Sequence, residues 1–129
     1  MCQYASTERN QLVKPQISAM HIIVDCYDIE PLLEPTVEGL LTRMAIAGNA
    51  TILKLDTRIF PGGGMTAMAL LAESHISVHT WPERDFAAFD IFMCGTSSAD
   101  KALAYLRSNV SIGNIDVQVI HRGAALTID

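Results

Sequence analysis

What this sequence lacks narrows its possible roles. No run of lysine or arginine occurs in its 129 residues and the formal net charge is −5. That balance argues against a nucleic-acid or anionic-membrane partner. No apolar stretch approaches the ~20 residues that span a bilayer. The first twenty residues, with Gln3, Ser6, Thr7, Glu8, Arg9, Asn10 and Gln11, lack the hydrophobic centre of a secretion signal. The expectation is therefore a cytoplasmic protein. Cysteine is scarce: Cys2, Cys26 and Cys94 are odd in number and widely spaced. They suit neither a disulfide framework nor a zinc site, and any important cysteine is expected to be a free thiol. No metal-ligand cluster is visible. No Pro/Gly/Ser-rich linker divides the chain, and its length fits a single domain over residues 1–129.

What is present is material for a core. Half of the residues are hydrophobic. Residues 1–17 read as an irregular arm, and residues 19–27, rich in β-branched side chains, read as a strand. The spacing of Val37, Leu40, Leu41 and Met44 predicts a helix from Pro35 to Ala47, with Pro35 in its first turn and Gly48-Asn49 as its stop. A second strand over 50–60 is expected to set Leu53 and Leu55 on one face and Lys54 and Asp56 on the other. Beyond Pro61-Gly62-Gly63-Gly64 come strands at 65–72, 76–81 and 86–94. Ser97-Ser98-Ala99-Asp100 resembles a helix N-cap, followed by the apolar stripe Leu103, Leu106 and Val110. A last strand covers 115–121. The order β-α-β-β-β-β-α-β predicts an α+β two-layer sandwich, with helices on one face of a mostly antiparallel sheet.

Reactive side chains concentrate in two segments, Ala72–Glu83 and Phe86–Gly95. On a strand, His75, Ser77, His79 and Trp81 share a face, as do Asp90, Phe92 and Cys94 on the next. A thiol beside two imidazoles is a plausible catalytic set, but spacing alone does not name a reaction. Cys26, in an apolar strand, is expected to pack. His75 and Asp90 are balanced between chemical and structural roles.

Glu73-Ser74-His75-x-x-x-His79-Thr80-Trp81-Pro82-Glu83, followed by Ala87-Ala88-x-Asp90-x-Phe92-x-Cys94-Gly95, resembles the processing and active-site region of the bacterial and archaeal S-adenosylmethionine decarboxylase proenzymes. The similarity runs from about His21 to Gly123 and includes Phe60 and Gly64-Met65-Thr66. It implies self-cleavage between Glu73 and Ser74 into a β chain of residues 1–73 and an α chain of residues 74–129. Ser74 would become a pyruvoyl group that forms a Schiff base with the substrate's amine and serves as an electron sink. By position, the resemblance makes His79 the processing base, Cys94 the proton donor to the decarboxylated carbon and Thr66 a processing hydroxyl. It makes Glu83 a ligand for ribose hydroxyls and Phe60 and Trp81 substrate contacts. It also implies a homo-oligomer, commonly a dimer of αβ units with the site at the interface, making the aminopropyl donor for spermidine synthesis.

The chain departs from the family pattern at Arg84-Asp85-Phe86, where Tyr-Gly-Tyr is usual, at Met93, and at Met65-Thr66-Ala67. Asp85 raises a second reading, a pyruvoyl-dependent decarboxylase of L-arginine or L-ornithine. A third reading is an unprocessed relative that binds a nucleoside or regulates an active paralogue, and a fourth is a hydrolase using Cys94 and His79. A strand unbroken from Ser74 would face that residue away from His79, so cleavage requires a strained turn or bulge at 73–75.

Overall fold

A computed structural model describes residues 17–123 of the chain. The elements run β1 (Ala19–Ile29), α1 (Glu34–Ala47), β2 (Ile52–Ile59), β3 (Met65–Leu71), β4 (Ser74–Trp81), a single 3-10 turn (Pro82–Arg84), β5 (Phe86–Cys94), α2 (Ala99–Asn109) and β6 (Ile112–Arg122). The expected arm over residues 1–17 falls outside the described residues except for Ile17. The strands form one six-stranded sheet in the order β2-β3-β4-β5-β1-β6. Every neighbouring pair is antiparallel. Both helices lie on one face, so the α+β two-layer sandwich is observed.

Period-two alternation builds the core. On β5, Ala87, Phe89, Ile91 and Met93 are buried, and on β1 Ile22, Val24 and Cys26 are buried beside them. Val37, Leu40, Leu41 and Met44 of α1 and Ala99, Ala102, Leu103 and Leu106 of α2 close over this face. α1 begins with Pro at its first turn and has no side-chain cap. α2 has one: Ser98 Oγ accepts from the Lys101 amide at 3.1 Å, which satisfies an otherwise orphaned donor.

Three expectations are corrected. A register shift between Ile52 and Lys54 bulges β2. It leaves Leu53 at 62 % exposure instead of beside the half-buried Leu55, because a bulge resets which residues face the core. β6 begins at Ile112, before the expected 115, because pairing with β1 draws in Gly113 and Asn114 despite their poor strand propensity. β4 begins at Ser74, directly after a two-residue turn at Ala72-Glu73, with Ser74 opposite Leu71.

Among the described residues the other face of the sheet carries no helix. Register lays its side chains in rows across the strands. One row runs Leu70, His75, Phe92, His21 and Ile120, and another Arg58, Thr66, His79, Ala88, Asp25 and Asp116. Met68, Leu70, Trp81 and Ile120 of this face are each more than 40 % exposed.

Candidate active site

The reactive residues gather in two clusters at opposite ends of β4. The first surrounds the turn between β3 and β4. Glu73 has φ = +62°, a left-handed conformation that costs a non-glycine residue about 1–2 kcal/mol. The strain therefore sits on the residue whose carbonyl precedes Ser74, but β4 runs unbroken from Ser74 and the turn does not bring Ser74 to His79. Ser74 is buried, at 7 % exposure. Cys94, at the end of β5, brings its Sγ within 3.2 Å of the Glu73 carbonyl oxygen and 3.8 Å of Ser74 Oγ.

The expectation of a free thiol at Cys94 is corrected. The sulfur is disulfide-bonded. A disulfide sulfur holds no proton, so donation from Cys94 requires reduction. Cys26 is buried in the core as expected, and its thiol is pushed up to about 12 by burial and by the charge of Asp25.

The second cluster lies toward the far end of β4. Thr66 on β3 pairs with His79 on β4, and a 2.8 Å hydrogen bond joins Thr66 Oγ1 to His79 Nδ1. A cavity of about 430 Å³ opens beside them, lined by Phe60, Thr66, His79, Trp81 and Glu83 among others. Phe60, Trp81 and Glu83, the three residues expected to bind substrate, thus border one hollow. The loop that brings Phe60 there turns through Gly62 and Gly63, both at φ +96°, a backbone region that glycine enters without penalty. Trp81 stands 41 % exposed in an aromatic chain with Phe86 and Tyr27.

Five residue steps lead from Ser74 to His79, about 16 Å at ~3.3 Å per step. Their side chains also leave opposite faces of the strand. The chain does not bring its serine and its histidine together.

Between the clusters lies a group that local sequence reading left unresolved. His21 Nε2 donates to Asp90 Oδ1 at 3.1 Å. The ring of Phe92 is stacked by His75 at 5.7 Å, met edge-on by His21 at 6.1 Å and covered by the Arg122 guanidinium at 5.6 Å. Burial lowers the pKa of His75, the neighbouring His21 lowers it further, and Asp90 opposes both. His21 and Arg122 went unnoticed because their partners lie far away in sequence. Only strand order makes them neighbours.

Asp85 sits elsewhere. It ends the 3-10 turn at φ = +50° and lines a separate cavity of about 220 Å³ with Glu30, Leu32 and Phe86. It follows the far end of β4 from Ser74.

Known proteins similar to this chain fall in one family. The family described as S-adenosylmethionine decarboxylase matches residues 20–123. A protein named S-adenosylmethionine decarboxylase proenzyme from Hydrogenobaculum sp. (strain Y04AAS1) is 40% identical over 108 residues, covering 81% of each chain. Its namesake from Parasynechococcus marenigrum (strain WH8102) is 43% identical over 94 residues, 70% of this chain and 73% of the other. Among solved structures, the adenosylmethionine decarboxylase from Aquifex aeolicus VF5 superposes with a TM-score of 0.75 at 33% identity, covering 82% of this chain and 91% of that one.

Proposed function

The chain belongs to the S-adenosylmethionine decarboxylase family, and we propose that it is a proenzyme that cuts itself before Ser74 and then decarboxylates S-adenosylmethionine. Its product is the aminopropyl donor for spermidine synthesis. The proposal includes a small-molecule substrate, a cytoplasmic setting and fragments of residues 1–73 and 74–129. Among the described residues no helix is long and apolar enough to cross a membrane.

Ser74 Oγ attacks the Glu73 carbonyl, and the peptide nitrogen leaves as the amine of residue 74, giving an ester. A base removes the α-proton of residue 74. Elimination frees the Glu73 carboxylate and leaves dehydroalanine, whose imine tautomer takes up water and loses ammonia to become the ketone. The strained Glu73 backbone and the buried hydroxyl fit the first step. The hydrogen-bonded Thr66–His79 pair fits the base. The pyruvoyl group so formed supplies the electron sink for loss of CO₂. Reduced Cys94, beside residue 74, returns a proton to the substrate carbon. Glu83 accepts from ribose hydroxyls in the Phe60–Trp81 hollow.

The single observation that carries the reading is the split between the clusters. Ser74 and Cys94 stand at one end of β4, and Thr66, His79 and the hollow toward the other. A second copy, turned about a two-fold axis against the uncovered sheet face, would set His79 of the partner subunit against the end of that face where Cys94 borders the Glu73–Ser74 bond, and the reverse. The exposed Met68, Leu70 and Ile120 would be buried in that contact. The functional unit is thus a homodimer with shared sites. The arginine or ornithine alternative rests on Asp85, which lines a different cavity from the hollow of Phe60, Trp81 and Glu83.

Co-expression of Ser74→Ala and His79→Ala chains tests this by intact mass. Each alone should remain one chain near 14.1 kDa. Together, the His79→Ala chain should be cut, because its Ser74 meets His79 of the partner subunit. Activity should return to about a quarter of the parent, one sound site in half of the dimers. An uncut mixture would overturn the shared site, and cleavage of His79→Ala alone would overturn the base.

A further inference from the structure

We propose that Arg122 receives the α-carboxylate of the substrate. This rests on the functional reading above and adds to it a residue that binds the group about to be lost. Arg122 and Cys94 both pair with Ala19 of β1, from opposite sides. Their backbones are therefore about 10 Å apart, two strand spacings of ~4.8 Å, and in the register of the described strands only the methyl of Ala19 stands between them. The guanidinium reaches in that direction and lies 5.6 Å from the Phe92 ring centroid. The same ring is stacked by His75, the residue bonded to Ser74. On β5, Phe92 and Cys94 are two residues apart and share a face. One ring is thus bordered by the guanidinium, by the residue after the cleavage point and by the side of the strand that carries the sulfur.

Among the described residues, charge at this end of the face leaves Arg122 as its permanent cation. His75 has its protonation disfavoured by burial and by His21, and His21 is hydrogen-bonded to Asp90. Lys54 and Arg58 lie on the opposite edge strand. Among the described residues Arg122 forms no ion pair with a carboxylate. Its fork of five donors faces a site whose substrate must carry a carboxylate. The substrate's amine reacts at residue 74 and its α-carbon takes a proton from Cys94. The carboxylate on that same carbon is confined to their surroundings.

The energetics give this role a signature. A guanidinium–carboxylate pair stabilises the bound substrate, but the negative charge leaves the carboxylate as CO₂ departs. Arg122 therefore contributes to binding and orientation and does not lower the barrier beyond the bound state. Its loss should raise KM and leave kcat unchanged or higher.

The test uses Arg122→Gln and Arg122→Lys in the full chain under reducing conditions. Processing is followed by intact mass, KM and kcat are measured for S-adenosylmethionine, and Ki is measured for the decarboxylated product, which keeps the amine and lacks the carboxylate. Arg122→Gln should be processed like the parent and raise KM about 10- to 100-fold, the range of a charge-assisted hydrogen bond, with Ki unchanged. Arg122→Lys, which keeps the charge without the fork, should recover part of the loss. Equal weakening of substrate and product by both variants, an unchanged KM, or failure of Arg122→Gln to process would overturn the proposal and leave Arg122 a support for Phe92 or for the turn. Failure of the functional reading would instead show in the unsubstituted protein, as an uncut chain or no turnover of S-adenosylmethionine.

Discussion

The two faces of the sheet use the same strands for different work. On β5, Phe89 points into the helices at 1 % exposure, and Phe92, three residues on, points to the uncovered side and carries His21, His75 and Arg122 around its ring. The cysteines divide in the same way. Cys26 is buried in the helix-side core with its thiol raised to about 12, whereas Cys94 touches the Glu73 carbonyl. Alternation along β5 thus separates side chains that fill the helix-side core from side chains that line the uncovered face. Both sets are held by one backbone, so the uncovered face inherits its geometry from the core beneath it.

The largest effect that would break this division is a loss of core volume. Phe89→Ala should lower unfolding free energy by about 3–5 kcal/mol, the transfer loss plus the cavity left behind. Phe92→Ala should cost less than half as much and act mainly on activity. Urea unfolding of both variants in a Ser74→Ala background, where cleavage does not intervene, makes the comparison. Equal destabilisation would mean that the uncovered face is also core.

A smaller effect sharpens the comparison at the turn after β4. Asp85 stands at φ = +50°, where glycine is the default and aspartate is tolerated. Asp85→Gly should change stability by less than about 1 kcal/mol, and Asp85→Ala should destabilise by about 1 kcal/mol. Neither should alter the preference for S-adenosylmethionine over arginine. A shift of preference in Asp85→Ala, read from CO₂ release with each substrate, would return that carboxylate to the substrate site.

Asp85 also shows how far the sequence could be read. Element order and type were visible from apolar spacing and from Pro35, Gly48 and Ser98, because each of these signals acts within a few residues of its effect. Leu53 was misplaced because a bulge is set by its partner strand, and β6 was underestimated because pairing with β1 outweighed the weak propensity of Gly113 and Asn114. The site residues could be named through the motif, but their division into two clusters could not, since it depends on the length and pleat of β4. His21, Asp90 and Arg122 meet around Phe92 only through the strand order β5-β1-β6, a long-range fact with no local signature. Asp85 was singled out for its charge, and its backbone angle supplies the simpler reason for the residue at that place.

The smallest effect concerns pH and separates a structural histidine from a reactive one. The pKa of His75 is lowered from 6.5, chiefly by burial and then by His21. As pH falls through that value the unfolded chain takes up a proton that the folded chain resists. The unfolded state then binds more protons, and stability declines with falling pH. Above about pH 7 both states are neutral at this position and the effect vanishes. His75→Phe keeps an aromatic partner for Phe92 and has nothing to titrate. Its urea midpoint should therefore fall less than the parent's between about pH 8 and pH 5.5. The two should coincide at the upper value if the stack on Phe92 is what the fold requires of residue 75. An identical acid dependence in both proteins would show that His75 titrates alike folded and unfolded, and that the ring against Phe92 is open to water. A variant that matches the parent in stability at high pH yet no longer cuts itself would move His75 from the structural side of the comparison to the chemical one.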